Sequence, residues 1–215
     1  MAKNKEQGAK PAMSKRELAN ARRAKKIRQQ RLKAAAVILV IALVIGGFVG
    51  LGFALGWWDY QPTATMHVAI ELDNGESLHV ELYGNDAPET VEAFVELVNH
   101  GHFNGSPLEL LLDGKLLACD AGEEITIAGE FKNNGVKNRV PHKAGTLTMI
   151  LADENDPDSA NGSFGILLDE APELDENRAA FGRIDNVEAL NKLITNIDAG
   201  KELPSIKSIS AHHSH

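Results

Sequence analysis

The sequence predicts a mainly β domain, a closed or nearly closed antiparallel barrel flanked by two helices, with one membrane-spanning helix ahead of it. Three observations predict this. Residues 34–56 form a 23-residue stretch without a charge. Two alternating apolar and polar runs, 66–72 and 78–83, flank an Asp-Asn-Gly turn. Two segments of helical periodicity bracket a series of short apolar runs broken by Gly and Asn.

The apolar stretch comes first in the chain. As a helix it spans roughly 34 Å at ~1.5 Å per residue, enough to cross a ~30 Å hydrocarbon core with some tilt. A buried core helix of this length would show a polar stripe, and a cleaved signal would have an apolar region of about 7–15 residues. Trp57, Trp58 and Tyr60 follow it, where an interfacial aromatic belt belongs. Residues 1–33 hold twelve of the 22 basic residues and two of the 30 acidic ones, a net +10. The remaining ten basic and 28 acidic residues leave 34–215 at −18. Basic flanks stay in the cytoplasm. The chain therefore reads as a cytoplasmic tail (1–33), a transmembrane helix in the lipid bilayer (34–58) and an extracytoplasmic domain (59–215), held at the cell membrane.

The tail is built of helix formers after a capping-box pair, Ser14 and Glu17. No aromatic residue interleaves its basic ones, so it reads as a topology signal that touches anionic lipid, and no nucleic-acid partner is expected. Gly46 and Gly50 have the small-xxx-small spacing of packed membrane helices.

In the outer domain, Asp73-Asn74-Gly75 joins the first two strands as a hairpin. Asp86, Pro88 and Glu89 suit the cap and first turn of a helix, Val91, Phe94, Val95 and Val98 fall on one face, and Gly101 stops it. A second helix is expected over 187–194. Cys119 is the only cysteine, so no internal disulfide forms, a pattern compatible with a bacterial envelope protein.

Four segments carry a resemblance: 81–105 (ELYGNDAPETVEAFVELVNHGHFNG), 141–149 (PHKAGTLTM), 161–166 (NGSFGI), and Leu174-Asp175 followed by 180–184 (AFGRI). Their order and spacing over 67–209 are similar to those of the cyclophilins, the cyclosporin-binding peptidyl-prolyl isomerases. The resemblance implies an eight-stranded barrel with a helix at each end, and proline-containing peptides or proteins as partners outside the membrane.

Proline isomerisation crosses a barrier of about 18–20 kcal/mol. A site lowers it by favouring the twisted amide, with a cation donating to the proline nitrogen and an apolar pocket holding the ring. Arginine suits that role because it stays charged and forks. Carried over residue by residue, the family's arginine position is Leu110 and its glutamine position Ala118. Its pocket methionine is Leu116, the asparagine of its peptide-pairing strand Leu151, and the "GSQFFI" segment places Ser163 at the glutamine, Phe164 at the first phenylalanine and Gly165 at the second. The pocket leucine is retained as Leu174, and the downstream histidine is Arg178. No catalytic residue is therefore expected, and Leu110, Leu116, Ala118, Leu151, Phe164, Gly165, Leu174 and Arg178 form a remnant substrate groove. Gly165 is expected to leave its floor open and Ile150 and Leu151 to narrow it, with Arg178 or Arg139 the candidates for a cation from another direction.

Three functions fit these residues. The first is a catalytically degenerate binding or scaffolding module, tethered by the membrane helix. The second is an envelope proline isomerase of weak or displaced activity that assists exported proteins. The third is an accessory subunit of a membrane complex. No cofactor or metal is expected: the histidine-rich end (His212, His213, His215) reads as a frayed tail, and Asp153-Glu154-Asn155-Asp156-Pro157-Asp158 lacks the Gly and final Glu of a calcium loop.

Overall fold

The computed structural model describes residues 33, 38–44, 46, 47, 60–120 and 125–212. The chain divides into two units, Met1–Asp59 and Tyr60–His215. In the first, residues 38–44, 46 and 47 are helical. Among the described residues no helix is long and apolar enough to cross a membrane. Most of the basic tail and of the span read at 34–58 lies outside the described residues.

The second unit is a curled eight-stranded antiparallel sheet with two helices. Its strands are β1 (Met66–Leu72), β2 (Ser77–Leu82), β3 (Leu108–Leu111), β4 (Leu116–Cys119), β5 (Thr146–Leu151), β6 (Ala160–Leu167), β7 (Ala180–Ile184) and β8 (Ile206–His212). They are ordered β3-β4-β6-β5-β7-β2-β1-β8. The outer strands β3 and β8 meet only at a short seam beside them. Pro107 bridges Ser205 there, Gly105 N–H donates to Ile206 O at 2.6 Å, and Ile206 N–H donates to Ser106 O at 2.9 Å. The expected closed barrel is thus a curled sheet whose edges join at one end.

The hairpin β1–β2 forms where its turn residues require it. Gly75 sits at φ +84°, a left-handed conformation that costs glycine nothing. Asn74 Oδ1 accepts from Glu76 N–H at 2.9 Å, and Leu72 N–H donates to Glu76 O at 2.8 Å.

Helix α1 (Pro88–His100) buries Val91, Phe94, Leu97 and Val98 against the sheet and ends at Gly101, φ 73°. Its N-cap differs from the expected one. Ala87 occupies that position without a side-chain bond, and the Asp86 carboxylate accepts instead from the Tyr60 hydroxyl at 2.8 Å. Glu130, 5% exposed, supplies the cap from a distant loop. Its two oxygens accept from Glu89 N–H (3.1 Å) and Thr90 N–H (2.8 Å). An anion at a helix N-terminus satisfies free donors and meets the positive end of the dipole. Helix α2 (Val187–Asp198) runs four residues beyond the expected 194 and buries Leu190 and Leu193. The core is aromatic at its centre: the Phe94 ring lies 5.5 Å from Phe103, 5.2 Å from Phe164 and 5.1 Å from Phe181.

Candidate functional site

A groove of about 610 Å³ opens beside the β3–β4 hairpin. Strand alternation sets which side chains reach it. On β3, Glu109 and Leu111 line the groove, and they pair in register with Ala118 and Leu116. Leu110 pairs with Leu117, which is fully buried, so it belongs to the opposite face of the strand and does not line the groove. Ala118 lies opposite Gly165 across β4 and β6. The rest of the wall includes Asp120, Ile150, Leu151, Asn161 and Ser163. Glu109 and Asp120 make the groove acidic, and no arginine or lysine is among the described residues that line it.

Cys119 also borders the groove, but burial pushes its thiol up to about 12. It stays protonated near neutrality and is no nucleophile.

The β3–β4 hairpin beside the groove is apolar and strained at its tip. Leu110, Leu111 and Leu112 are 39, 42 and 47% exposed. Leu112 and Asp113 adopt φ 51° and 52°, and the left-handed region costs a non-glycine residue roughly 1–2 kcal/mol. Such outliers concentrate where a loop has a task besides folding.

The other positions read from the sequence are dispersed. Leu116 is buried with Leu167 and Ala171, and Leu174 packs against them. A Cβ built on Gly165 would lie 2.5 Å from Leu116 Cδ1. The Leu116 side chain therefore occupies the floor that Gly165 was expected to leave open. Phe164 has no exposed surface and stacks edge-on to Phe94 and Phe103 in the core. Leu151 is shared with a second groove of about 330 Å³ that also holds Leu174 and Arg178. Arg178 is engaged there: Nη2 is paired with Glu154, and Nη1 donates to Asn177 O at 2.9 Å. Arg139 lies 3.9 Å over the Tyr60 ring as a cation–π pair. Neither arginine is among the described residues of the first groove. Sequence reasoning missed Glu109, Leu111 and Asp120 as groove walls.

His142, Asp175 and Thr148 have the look of a nucleophile relay. Asp175 Oδ1 accepts from both His142 Nδ1 (2.9 Å) and its backbone N–H (2.7 Å), and Thr148 Oγ1 stands 3.0 Å from Nε2. His142 and Thr148 are 2% and 1% exposed, so no substrate reaches them. The arrangement is a satisfied core network in which neutral His142 donates from Nδ1 and accepts at Nε2. Burial lowers the His142 pKa below its ordinary 6.5, opposed by Asp175. A lowered value means the unfolded chain takes up the proton first. The stability this neutral histidine contributes is complete above pH ~6.5 and is lost as pH falls through the lowered folded value. The melting temperature should therefore drop as pH is taken from about 7 to about 5, and His142→Gln should flatten that drop in paired thermal scans.

Comparison with known proteins bears on this groove. The family model "Cyclophilin type peptidyl-prolyl cis-trans isomerase/CLD" matches residues 67–210. A peptidyl-prolyl cis-trans isomerase of Synechococcus elongatus is 29% identical over 143 residues, covering 66% of this chain and 94% of that protein. Peptidyl-prolyl cis-trans isomerase CYP23 of Arabidopsis thaliana is 30% identical over 166 residues, covering 72% and 71%. The crystal structure of a cyclophilin type isomerase of Cryptosporidium parvum superposes with a TM-score of 0.59 at 21% identity, over 70% of this chain and 99% of that one. The same protein was also solved in the presence of the dipeptide ala-pro, with a TM-score of 0.58 at 22% identity, over 69% and 99%.

Proposed function

The chain belongs to the cyclophilin-type peptidyl-prolyl cis-trans isomerase family, and from that premise we propose that it is a binding module of that family which does not itself accelerate proline isomerisation. The observation that carries this reading is the charge of the groove: Glu109 and Asp120 line it, with no arginine or lysine among the described residues there. A twisted prolyl amide concentrates electron density on nitrogen, and a carboxylate beside it raises the barrier that a guanidinium would lower. The pocket for a proline ring is also narrowed, since Leu116 fills the space over Gly165.

Binding survives these changes. The groove retains an open volume, and Leu111, an exposed leucine, stands on its wall. The segment that suits it is an extended peptide with apolar side chains and basic residues, drawn in by an acidic domain of net −18 over 34–215. A protease-coupled assay on a short Xaa-Pro peptide tests the catalytic half. With the full-length chain at micromolar concentration, the isomerisation rate should equal the uncatalysed one. A dose-dependent acceleration would overturn the reading and favour an envelope isomerase.

The second half of the proposal is tethering. The uncharged 34–56 stretch and the +10 tail before it support a single membrane helix with the tail in the cytoplasm and the cyclophilin-like domain outside. After expression, the full-length chain should stay in the membrane pellet through an alkaline carbonate wash. Its release into the wash would sink the tether. A module held this way is also suited to serve as a subunit of a larger membrane assembly.

A further inference from the structure

A different face of the sheet carries a set of side chains that the groove does not use. His67 on β1, Glu81 on β2 and Asp185, just after β7, each offer one ligand atom, and these atoms all lie within 4.8 Å of one another. We propose that His67, Glu81 and Asp185 bind a divalent first-row transition ion, best matched by Zn²⁺, with water completing the coordination.

The backbone brings these groups together from β1, β2 and the turn after β7. His67 and Glu81 are a directly paired couple in the β1–β2 ladder. His67 is also paired with His212 of β8 on its other side, but His212 Nε2 lies 3.3 Å from Ser210 Oγ and is not one of the clustered ligand atoms. Directly paired residues carry Cβ atoms about 4.5–5.5 Å apart on one face, so His212, His67 and Glu81 form a row across three strands. Asp185 is fixed against the same region by its N–H, which donates to His79 O on β2 at 3.0 Å. A fluctuating surface would not hold these three groups together; the β1–β2 ladder and the Asp185 backbone hydrogen bond do.

The chemistry matches one class of ion. Imidazole nitrogen with carboxylate oxygens is a donor set that Zn²⁺ accepts, at ligand distances of about 2.0–2.2 Å. A tetrahedral site then needs ligand atoms about 3.4 Å apart, a contraction from 4.8 Å that side-chain rotation supplies. Two carboxylates and a neutral imidazole balance a divalent charge. Glu81 is held by a further contact of the kind that orients metal-binding carboxylates: the Tyr83 hydroxyl donates to Oε2 at 3.3 Å. Arg183 is paired with Glu81 across the β2–β7 ladder. The imidazole in the donor set favours a transition ion over Mg²⁺ or Ca²⁺, which take oxygen ligands. Bound metal would pin the turn after β7 to the β1–β2 hairpin.

Zn²⁺ titrated into the full-length protein against a chromogenic chelator tests this. A single ion per chain should bind, and the ion should raise the thermal unfolding midpoint. His67→Ala and Glu81→Gln should each weaken binding by about tenfold or more, while the double variant His213→Ala/His215→Ala keeps it. No bound Zn²⁺ would overturn the proposal. So would binding that survives in His67→Ala and Glu81→Gln but is lost with His213 and His215. Should His67→Ala fail to fold, exposed Asp185→Asn carries the test: lost binding supports the site, and unchanged binding overturns it.

Discussion

Phe94→Ala should lower the unfolding free energy by about 3–5 kcal/mol, the range for emptying a fully packed aromatic position. Phe94 is fully buried on α1, and its ring touches three others. The Phe164 ring stands at 81° to it, an edge-to-face geometry that adds to simple burial. Those neighbours come from β6, β7 and the segment before β3, so one truncation loosens the helix and both sides of the curled sheet. A domain stable by ~5–15 kcal/mol overall would lose a large share of that margin. Phe94→Leu fills most of the volume and should cost clearly less. Urea unfolding of both variants, followed by circular dichroism, checks the order; equal midpoints for Phe94→Ala and the unaltered chain would refute this account of the core.

The second large effect is expected at Gly129. A Cβ there would lie 2.2 Å from the Pro157 carbonyl oxygen and 2.2 Å from the Phe131 ring. The first obstacle is backbone and cannot swing aside. The loop must move, and the next residue is Glu130, whose carboxylate caps α1. Gly129→Ala thus adds overpacking, about 1–3 kcal/mol, to the loss of a helix cap, about 1 kcal/mol. Glu130→Ala, which removes the cap without the clash, should be the milder of the two in the same urea series.

These two positions show what is legible in a sequence and what is not. The β1–β2 hairpin and the span of α1 follow from contiguous residues, Asp73 to Gly75 and Pro88 to Gly101, so local chemistry suffices. The cap of α1 does not, because Glu130 stands 40 residues from the Thr90 it serves. Asp86, the local candidate, is taken by Tyr60. The groove divides the same way. Ala118 and Gly165, two positions picked out by the family-like segments, are paired across β4 and β6. The segments do not tell which face of β3 meets the groove. Alternation alone puts Glu109 and Leu111 opposite to Leu110, but only the pairing with β4 decides which set looks inward. The filling of the Gly165 floor by Leu116 depends on one side chain's direction, which no spacing encodes. His67 and Glu81 were within reach: each stands seven residues from Asn74, so folding the hairpin at its turn pairs them.

The central claim is a groove that holds a peptide without turning its proline, and one NMR sample measures both halves. The full-length chain in detergent micelles is titrated with a basic, apolar peptide that contains a Xaa-Pro bond. The account predicts shifts at the Glu109, Ala118 and Ile150 amides, while cis and trans proline signals show no exchange cross-peaks beyond those of free peptide. Exchange cross-peaks that grow with substoichiometric protein would contradict it, and would mean that a cation reaches the prolyl nitrogen in spite of Glu109 and Asp120.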